Sequence, residues 1–208
     1  MSEVIESKIL TKIKKAKRGT LFFTDSFVHI AQKKTVSKSL ERLVKKREII
    51  RVANGIFTRP KKDPLLGIIK PSIDEIAKTI AKRDKAKIVP TGNYALNKLG
   101  LSTQVPMNIV FLTDGSPRKV NVGKFTITFK KASPRNVSAL GNISKLVIQA
   151  LKSIGEKNMN AETIARIKKL LRNENIHHLE HDFRLAPEWI RKIIRPVLIE
   201  RKNEKQAS

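Results

Sequence analysis

The chain has 208 residues, 40% of them hydrophobic, and a formal net charge of +26 from 44 Lys and Arg against 18 Asp and Glu. This length and apolar content suffice for a folded core in one large domain or two small ones. The charge favours nucleic acid or an anionic membrane surface as partner over a small acidic substrate, and the absence of Cys excludes disulfides and thiolate zinc sites.

Two further features bear on the compartment and on the kind of nucleic acid. The opening sequence MSEVIESKIL is acidic and too poor in apolar residues for a signal peptide, and no run approaches the roughly 18 apolar residues of a membrane span. We therefore expect a soluble, cytoplasmic protein without a membrane partner. Aromatic residues make up only 5% of the chain, which favours a protein that follows a nucleic-acid backbone over one that stacks single-stranded bases.

The first elements of the chain are predicted from apolar spacing and from one capping residue. Apolar residues at helical spacing predict an amphipathic helix over residues 3–16, and the sequence GTLFF predicts a strand over 19–23. Thr24 is placed to cap a second helix, residues 25–31, because a hydroxyl at this position can accept from the free N–H groups of the first turn.

A third helix and a hairpin follow. After a turn at residues 32–34, Thr35 is placed to cap a helix whose apolar residues form one stripe: Val36, Leu40, Leu43 and Val44. The sequences EIIRV and GIFT then predict two strands, joined by a tight turn at Asn54-Gly55 that needs positive φ.

This order of helix, strand, helix, helix and hairpin predicts a winged helix-turn-helix. In such a domain the third helix enters the major groove, and the wing lies along the backbone or in the minor groove. The predicted DNA-binding residues are Lys33, Lys34, Thr35, Ser37, Lys38, Arg42 and Lys45 around the third helix, with Asn54 and Arg59 on the wing side. Two alternatives stay open, because a run of charge can be a solvated face and some winged helices contact proteins.

The charge is concentrated in the N-terminal part. Residues 1–62 carry 17 Lys and Arg and 5 Asp and Glu, whereas the rest of the chain carries 27 and 13. The sequence TRPKKDPLLG, residues 58–67, is typical of a linker because it contains two prolines and a glycine. We therefore predict a DNA-binding domain over 1–62, a second domain over 63–202 and a disordered polar tail over 203–208.

The second domain begins with two predicted helices. Ser72 and Glu75 form a capping box at the start of a helix over 73–82, and Gly100 is placed to end a short helix over 94–99. The strands of an antiparallel sheet are predicted in NIVFLT, RKVNV and KFTITFKK. Later helices are predicted in ISKLVIQALKSI, AETIARIKKLLR and PEWIRKIIRPVLIE, the last of which Pro196 should end or bend.

The expected fold class is therefore α+β: a winged helix-turn-helix, then a mixed domain with a small antiparallel sheet and several helices. The candidates for chemistry in that domain are weak. His177, His178 and His181 are close in sequence, but a metal-binding helix of the metalloprotease type needs an acid at a set position and a third ligand. Arg135 could bind an anion or mark a bend, and Trp189 is interpreted as a core residue. No metal, cofactor or catalytic site is predicted, and the protein is not expected to be an enzyme.

The chain resembles a known family in the segments SKSLERLVKKREIIRVANGIFTRP, PTGNYALNKLGLS, NIVFLTDG with RKV, and FTITFKKASPRN. These segments resemble the AbiEi-type antitoxins of type IV toxin–antitoxin (abortive infection) systems, over about residues 5–200. The segment GNYALNKLGLS followed by the strands is the most specific part. The resemblance implies a phage-defence antitoxin that binds inverted repeats in its own operator, represses its own operon and counters a nucleotidyltransferase-fold toxin, without a stable complex between the two.

Charge also bears on assembly. The chain has no long heptad seam, and two free copies at +26 repel one another, so we expect a monomer in solution and two copies on DNA. Two other classes of function stay open. One is a DNA-binding regulator or basic RNA-associated protein without an antitoxin role. The other is an enzyme with a site near residues 133–136 and the histidines.

Overall fold

The computed structural model describes residues 2–206, over which the chain has eight α-helices and three small sheets. This confirms the α+β class. The chain divides into two compact units, of which the first contains Met1–Ile80 and Val120–Thr126, and the second contains Ala81–Lys119 and Ile127–Ser208.

The first unit begins with a helical and three-stranded segment. Its elements are α1 (Ser2–Lys15), β1 (Leu21–Phe23), a 3₁₀ helix (Thr24–Phe27), α2 (Lys33–Lys45), β2 (Ile50–Ala53) and β3 (Ile56–Thr58). β3 lies between β1 and β2 and is antiparallel to both. One hydrophobic cluster contains Ile9 and Ile13 of α1, Phe27, and the buried side chains of α2. Because burying each such side chain is worth about 1.5–3 kcal/mol, this cluster fixes which face of α2 is turned outward.

The second predicted helix is shorter than expected. In place of an α-helix over residues 25–31, the chain forms the 3₁₀ helix and then turns. The N–H of Thr24 donates to the carbonyl of Gly55 at 3.1 Å, which ties Thr24 to the hairpin. The N–H of Phe23 donates to Ser26 Oγ at 3.1 Å. The first bond is a tertiary contact, and the second is a local bond to a side chain. A capping pattern in the sequence anticipates neither of them.

The helix that follows begins earlier than predicted. The N–H of Val36 donates to the carbonyl of Gln32 at 3.0 Å, so the N-cap is Gln32 and Thr35 lies inside the first turn. The prediction that Thr35 caps this helix is therefore wrong. The hairpin after it agrees with expectation, since Gly55 has φ 68° in the turn. A bulge shifts the register of β2 between Arg51 and Ala53.

The predicted linker is an ordered hairpin. β4 (Lys61–Asp63) pairs antiparallel with β5 (Gly67–Ile69), where the sequence predicted a linker over residues 58–67. α3 (Ile73–Arg83) follows. Its capping box is confirmed, because Glu75 N–H donates to Ser72 Oγ at 3.2 Å and Ser72 N–H donates to Glu75 Oε2 at 2.7 Å. The division of function at residue 62 stays a prediction.

The second unit combines a four-stranded sheet with a helical cluster. Its strands and first helix are β6 (Ile88–Pro90), α4 (Gly92–Lys98), β7 (Asn108–Thr113), β8 (Arg118–Val122) and β9 (Phe125–Lys131), of which residues 120–126 belong to the first unit. The strand order is β6-β7-β9-β8. The strand β6, which the sequence analysis did not predict, pairs antiparallel with β7. Three residues are too few to show a period of two.

The remaining helices build the larger core. They are α5 (Ser144–Ile154), α6 (Ala161–Leu171), α7 (Ile176–Leu185) and α8 (Glu188–Gln206), with short 3₁₀ helices at Pro134–Val137 and Glu156–Asn158. α5 is buried along most of its length, and Trp189 packs half-buried against the same cluster, which confirms it as a core residue. None of the helices over residues 2–206 is both long and apolar enough to cross a membrane.

The end of the chain differs from expectation. α8 continues through Pro196 to Gln206, so the proline does not end the helix and most of the predicted disordered tail, 203–208, is helical. The last two residues of that tail lie outside the described residues. Ile190 and Ile194, which precede Pro196, are fully buried, and Val197, which follows it, is nearly so. Packing on both sides of the proline therefore holds the helix together across the missing hydrogen bond.

Candidate nucleic-acid interface

The exposed face of α2 is cationic. Its buried side chains are Val36, Ser39, Leu40 and Leu43. Because successive residues of an α-helix are rotated by about 100°, Lys34, Lys38 and Lys45 share the opposite face, together with Glu41. All four are exposed, and within the described part of the chain none of the three lysines forms an ion pair. The helix therefore presents three ammonium groups without ion pairs and one carboxylate on this side, a net charge of +2 (three cations less one anion).

The start of α2 has no side-chain cap. Gln32 occupies the N-cap position without a side-chain hydrogen bond to the first turn, which contains no acidic residue. Lys33 and Lys34 are in that turn and are exposed. The first N–H groups of a helix attract anions when no side chain satisfies them. This end of α2 is therefore suited to a phosphate.

Three of the predicted residues lie beside this face. Lys33 Nζ is 3.6 Å from Asp25 Oδ1, and both side chains are exposed. Thr35 and Ser37 are half-buried on the flanks of α2. The structure therefore brings these residues close to the lysine face without placing them on it.

Two predicted arginines contact α1 or the residue that follows it. Arg42 Nε lies 3.6 Å from Oε2 of buried Glu6, whose other oxygen is 2.6 Å from Lys46 Nζ. Arg59 Nη2 donates to the carbonyl of Ala16 at 3.3 Å. A buried carboxylate is costly unless cations neutralise it, so Arg42 contributes to the packing of α1 against α2. Arg59 likewise satisfies a carbonyl just after the end of α1.

A cation of β2 beside the turn to β3, Arg51, was missed by sequence reasoning. Asn54 is exposed, and its Oδ1 accepts from Arg51 Nη2 at 2.8 Å. The guanidinium carbon of Arg51 also lies 5.9 Å from the centre of the Phe57 ring. Arg51 is exposed and lies in EIIRV, where alternation of apolar and polar residues was the only signal that it faces outward.

A second group of exposed cations surrounds the base of the β4–β5 hairpin: Lys15, Lys17, Arg18, Lys61 and Lys62. Arg18 Nη1 donates to the carbonyl of Pro60 at 3.3 Å, and Gly19 N–H donates to the carbonyl of Arg59 at 2.8 Å. These bonds join the loop after α1 to the start of the hairpin. The sequence showed both runs of charge, KKAKR and KK, but not that the fold brings them together.

The weaker candidates of the second unit are held by structural contacts. His181 Nδ1 lies 2.9 Å from Asp182 Oδ1, and His177 Nδ1 lies 4.0 Å from Glu180 Oε2. Over residues 2–206 no group of three or more His, Asp and Glu side chains is arranged to hold a metal ion. Arg135 Nη2 donates to the carbonyl of Arg184 at 3.4 Å, so it joins the 3₁₀ helix to α7.

The chain matches a protein family and is similar to solved structures. No curated protein matches the chain. The crystal structure of the RV2827C protein from Mycobacterium tuberculosis is similar to this chain, with a TM-score of 0.45 and 10% sequence identity, over 94% of this chain and 81% of that one. The sequence profile described as a family of unknown function, DUF6088, matches residues 8–179. The match covers most of the chain, which therefore belongs to the DUF6088 family.

Proposed function

We propose that the N-terminal segment is a winged helix-turn-helix and that this protein is a sequence-specific regulator that binds double-stranded DNA with α2 in the major groove. The observation that carries the proposal is the face formed by Lys34, Lys38 and Lys45, which has no ion pair among the described residues and lies opposite the buried stripe of α2. A helix held to the domain along one face, with cations on the other, fits a groove about 12 Å wide.

The predicted contacts divide by chemistry. Ammonium groups bind phosphate oxygens or the O6 and N7 acceptors of guanine, and we assign Lys34, Lys38 and Lys45 to these. The uncapped start of α2, with Lys33, is assigned to a phosphate. Asn54, with Arg51 beside it, is the candidate for contact from the wing. Arg42 and Arg59 reach DNA only if they leave their present partners, Glu6 and the carbonyl of Ala16.

Selection from a random-sequence duplex library, followed by gel-shift titration over a range of salt concentrations, tests the proposal. We expect an enriched sequence, and we expect the K34A/K38A variant to bind it at least about tenfold more weakly. Its slope of log affinity against log salt should be lower by about 2, since each phosphate contact contributes about 0.9.

The matched control is K78A/K82A, which removes two exposed lysines at the same spacing from α3. Its effect should be smaller, because only general charge is lost. Equal losses in the two variants would mean that charge alone attracts the DNA. Preference for an RNA duplex over the selected DNA would favour the RNA-associated alternative.

We further propose that this regulator is the antitoxin of a type IV system and acts in the cytoplasm. The support is the resemblance of PTGNYALNKLGLS and the strands after it to AbiEi-type antitoxins. Co-expression with a nucleotidyltransferase-fold toxin encoded beside its gene should restore growth. The K34A/K38A variant should still restore growth but no longer repress a reporter driven by the operon's promoter. Failure of the wild-type chain to restore growth would leave a DNA-binding regulator without an antitoxin role.

A further inference from the structure

The tip of the β4–β5 hairpin exposes apolar side chains to an unusual degree. Leu65 is 95% exposed and Leu66 is 79% exposed, and Ile68 and Ile69 behind them are also exposed. Single exposed leucines are common on protein surfaces, but contiguous exposed apolar groups at a projecting turn indicate a binding surface. The sequence analysis assigned this segment to a linker.

The tip is an ordered turn. Asp63 Oδ1 accepts from the N–H groups of both Leu65 and Leu66 at 2.9 Å. Asp63 is paired with Gly67, which has φ 71°, and Pro64 has a φ fixed by its ring. The two leucines are thus held outward before any partner is bound, which lowers the entropy lost on binding.

The base of the same hairpin is cationic. Lys61 and Lys62 are exposed on β4, and Lys15, Lys17 and Arg18 are exposed on the segment that is hydrogen-bonded to the start of the hairpin. The side chain of Lys61 lies against Gly19, where an added Cβ would meet it. Asp63 is the one acid of the hairpin, and hydrogen bonds from the two leucine N–H groups hold its pKa below the ordinary 3.8. Its charge is therefore directed into the turn.

An apolar tip on a cationic base matches the double helix. Proteins that bind the minor groove use cations for the phosphates and insert Leu, Ile, Phe, Met or Pro between base pairs, which bends the duplex by roughly 20–90°. An apolar protein surface would bury the leucines but would offer no negative charge to the cations at the base of the hairpin. A second copy of this chain, with the same charge, would bring cations against cations.

We propose that the β4–β5 hairpin is a second DNA-binding arm, in which Leu65 and Leu66 enter the minor groove and wedge open a base step while Lys61, Lys62 and the cations after α1 bind the flanking phosphates. The proposal rests on the proposed DNA-binding function and adds bending to it. Pyrimidine–purine steps open most easily, so the site of insertion should be such a step.

The test uses the full-length chain and the duplex obtained by selection. The duplex is labelled at both ends for energy transfer and carries 2-aminopurine at successive positions. Wild-type protein should bring the ends closer and raise 2-aminopurine fluorescence at one step. The L65S/L66S variant should lose both signals while keeping the salt slope. The K61A/K62A variant should lower the slope by about 2. The control V105S/M107S removes two exposed apolar side chains elsewhere and should behave as wild type.

Three outcomes would overturn the arm. The wild-type chain could bind without bending or unstacking the duplex. L65S/L66S could bend DNA as wild type does. The L65S/L66S variant could instead change only the number of chains bound per duplex, which would assign the leucines to a contact between copies. In each case the K34A/K38A variant still reports on DNA binding by α2, so the proposed function can hold while the proposed arm is wrong. If the wild-type chain does not bind DNA at all, both proposals are wrong.

Discussion

At the scale of single residues, Asp182 of α7 is a fully buried carboxylate whose two oxygens accept hydrogen bonds from the segment that leads into α5. Its Oδ1 accepts from Leu140 N–H at 2.8 Å, and its Oδ2 accepts from Gly141 N–H at 2.9 Å and from Ser144 Oγ at 2.5 Å. Glu174 adds a second buried carboxylate that accepts from Ser144 N–H at 3.0 Å. Two acids thus satisfy the free N–H groups where the chain enters α5, a favourable position for negative charge.

Substitution of Asp182 by Asn should therefore destabilise the protein. An amide keeps one acceptor oxygen but places donors against Gly141 N–H or Leu140 N–H, and hydrogen bonds to a charged group are worth about 1.5–3 kcal/mol each. We expect the free energy of unfolding in urea to fall by about 2–4 kcal/mol. Glu156→Gln, at an exposed acid in the second 3₁₀ helix of the unit, is the control. Equal stability of the two variants would contradict this role.

Gly141 belongs to the same arrangement. A Cβ at this position would overlap Ser144 Oγ and the carboxylate of Glu174. The requirement for glycine comes from this close approach of side chains. The sequence shows the glycine and both acids, but their separation along the chain conceals the contact.

At the scale of elements, two end signals of helices were confirmed, whereas the caps predicted at Thr24 and Thr35 were not. The capping box of α3 forms as predicted, and Gly100 follows α4 with φ 67°. These signals act within four residues, so the sequence contains all the groups involved. Apart from α7, which was not predicted as a separate helix, the elements that sequence reasoning missed or misassigned are short ones, among them the 3₁₀ helix over 24–27, the β4–β5 hairpin and β6. Their bonds are to distant residues, or they are too short for a period to be visible.

The capping box of α3 predicts an acid-sensitive contribution to stability. The hydrogen bonds from Ser72 lower the pKa of Glu75 below its ordinary 4.5. A carboxyl with a lowered pKa in the folded state stabilises above its unfolded pKa, and this contribution is lost as pH falls through the folded pKa. Between about pH 5 and about pH 3, wild-type protein should therefore lose more stability than the Glu75→Gln variant, as measured by urea unfolding at each pH.

Two comparisons check this assignment. Ser72→Ala should cost about 1 kcal/mol at neutral pH, since it removes the cap of the first turn. Glu162→Gln, at an exposed acid in the first turn of α6 that is not the N-cap, should keep the wild-type pH dependence. The same pH dependence in the Glu75→Gln variant as in wild type would contradict the capping role.

At the scale of the whole molecule, the division into units determines which variants are informative, and the net charge determines whether copies associate. A cut at residue 62 would fall inside β4, and the first compact unit continues to Ile80 and includes residues 120–126. Full-length variants therefore separate the functions of the two parts better than truncations do. The net charge of +26 acts on every copy alike and opposes association in free solution.

We expect one chain in solution and two on DNA. Light scattering without DNA should give a mass near 23.5 kDa. Titration of a duplex with an inverted repeat should saturate at two chains, because phosphates neutralise the repulsion and two-fold symmetric half-sites place two copies about one helical turn apart. A stable dimer at micromolar concentration and moderate salt would contradict this expectation.

The sequence by itself determined the α+β class, most of the longer helices and the lysine-rich face of α2. Each depends on residues within one or two helical turns, where the apolar period dictates which side is buried. The tertiary structure alone decided that Arg42 pairs with α1 and Arg59 with the residue after it, that residues 61–69 form a hairpin with two exposed leucines, and that Asp182 accepts hydrogen bonds from the segment that leads into α5. The contacts of the two arginines and of Asp182 join groups far apart in the chain, so no local pattern reveals them, and the three-residue strands of the hairpin are too short to show a period.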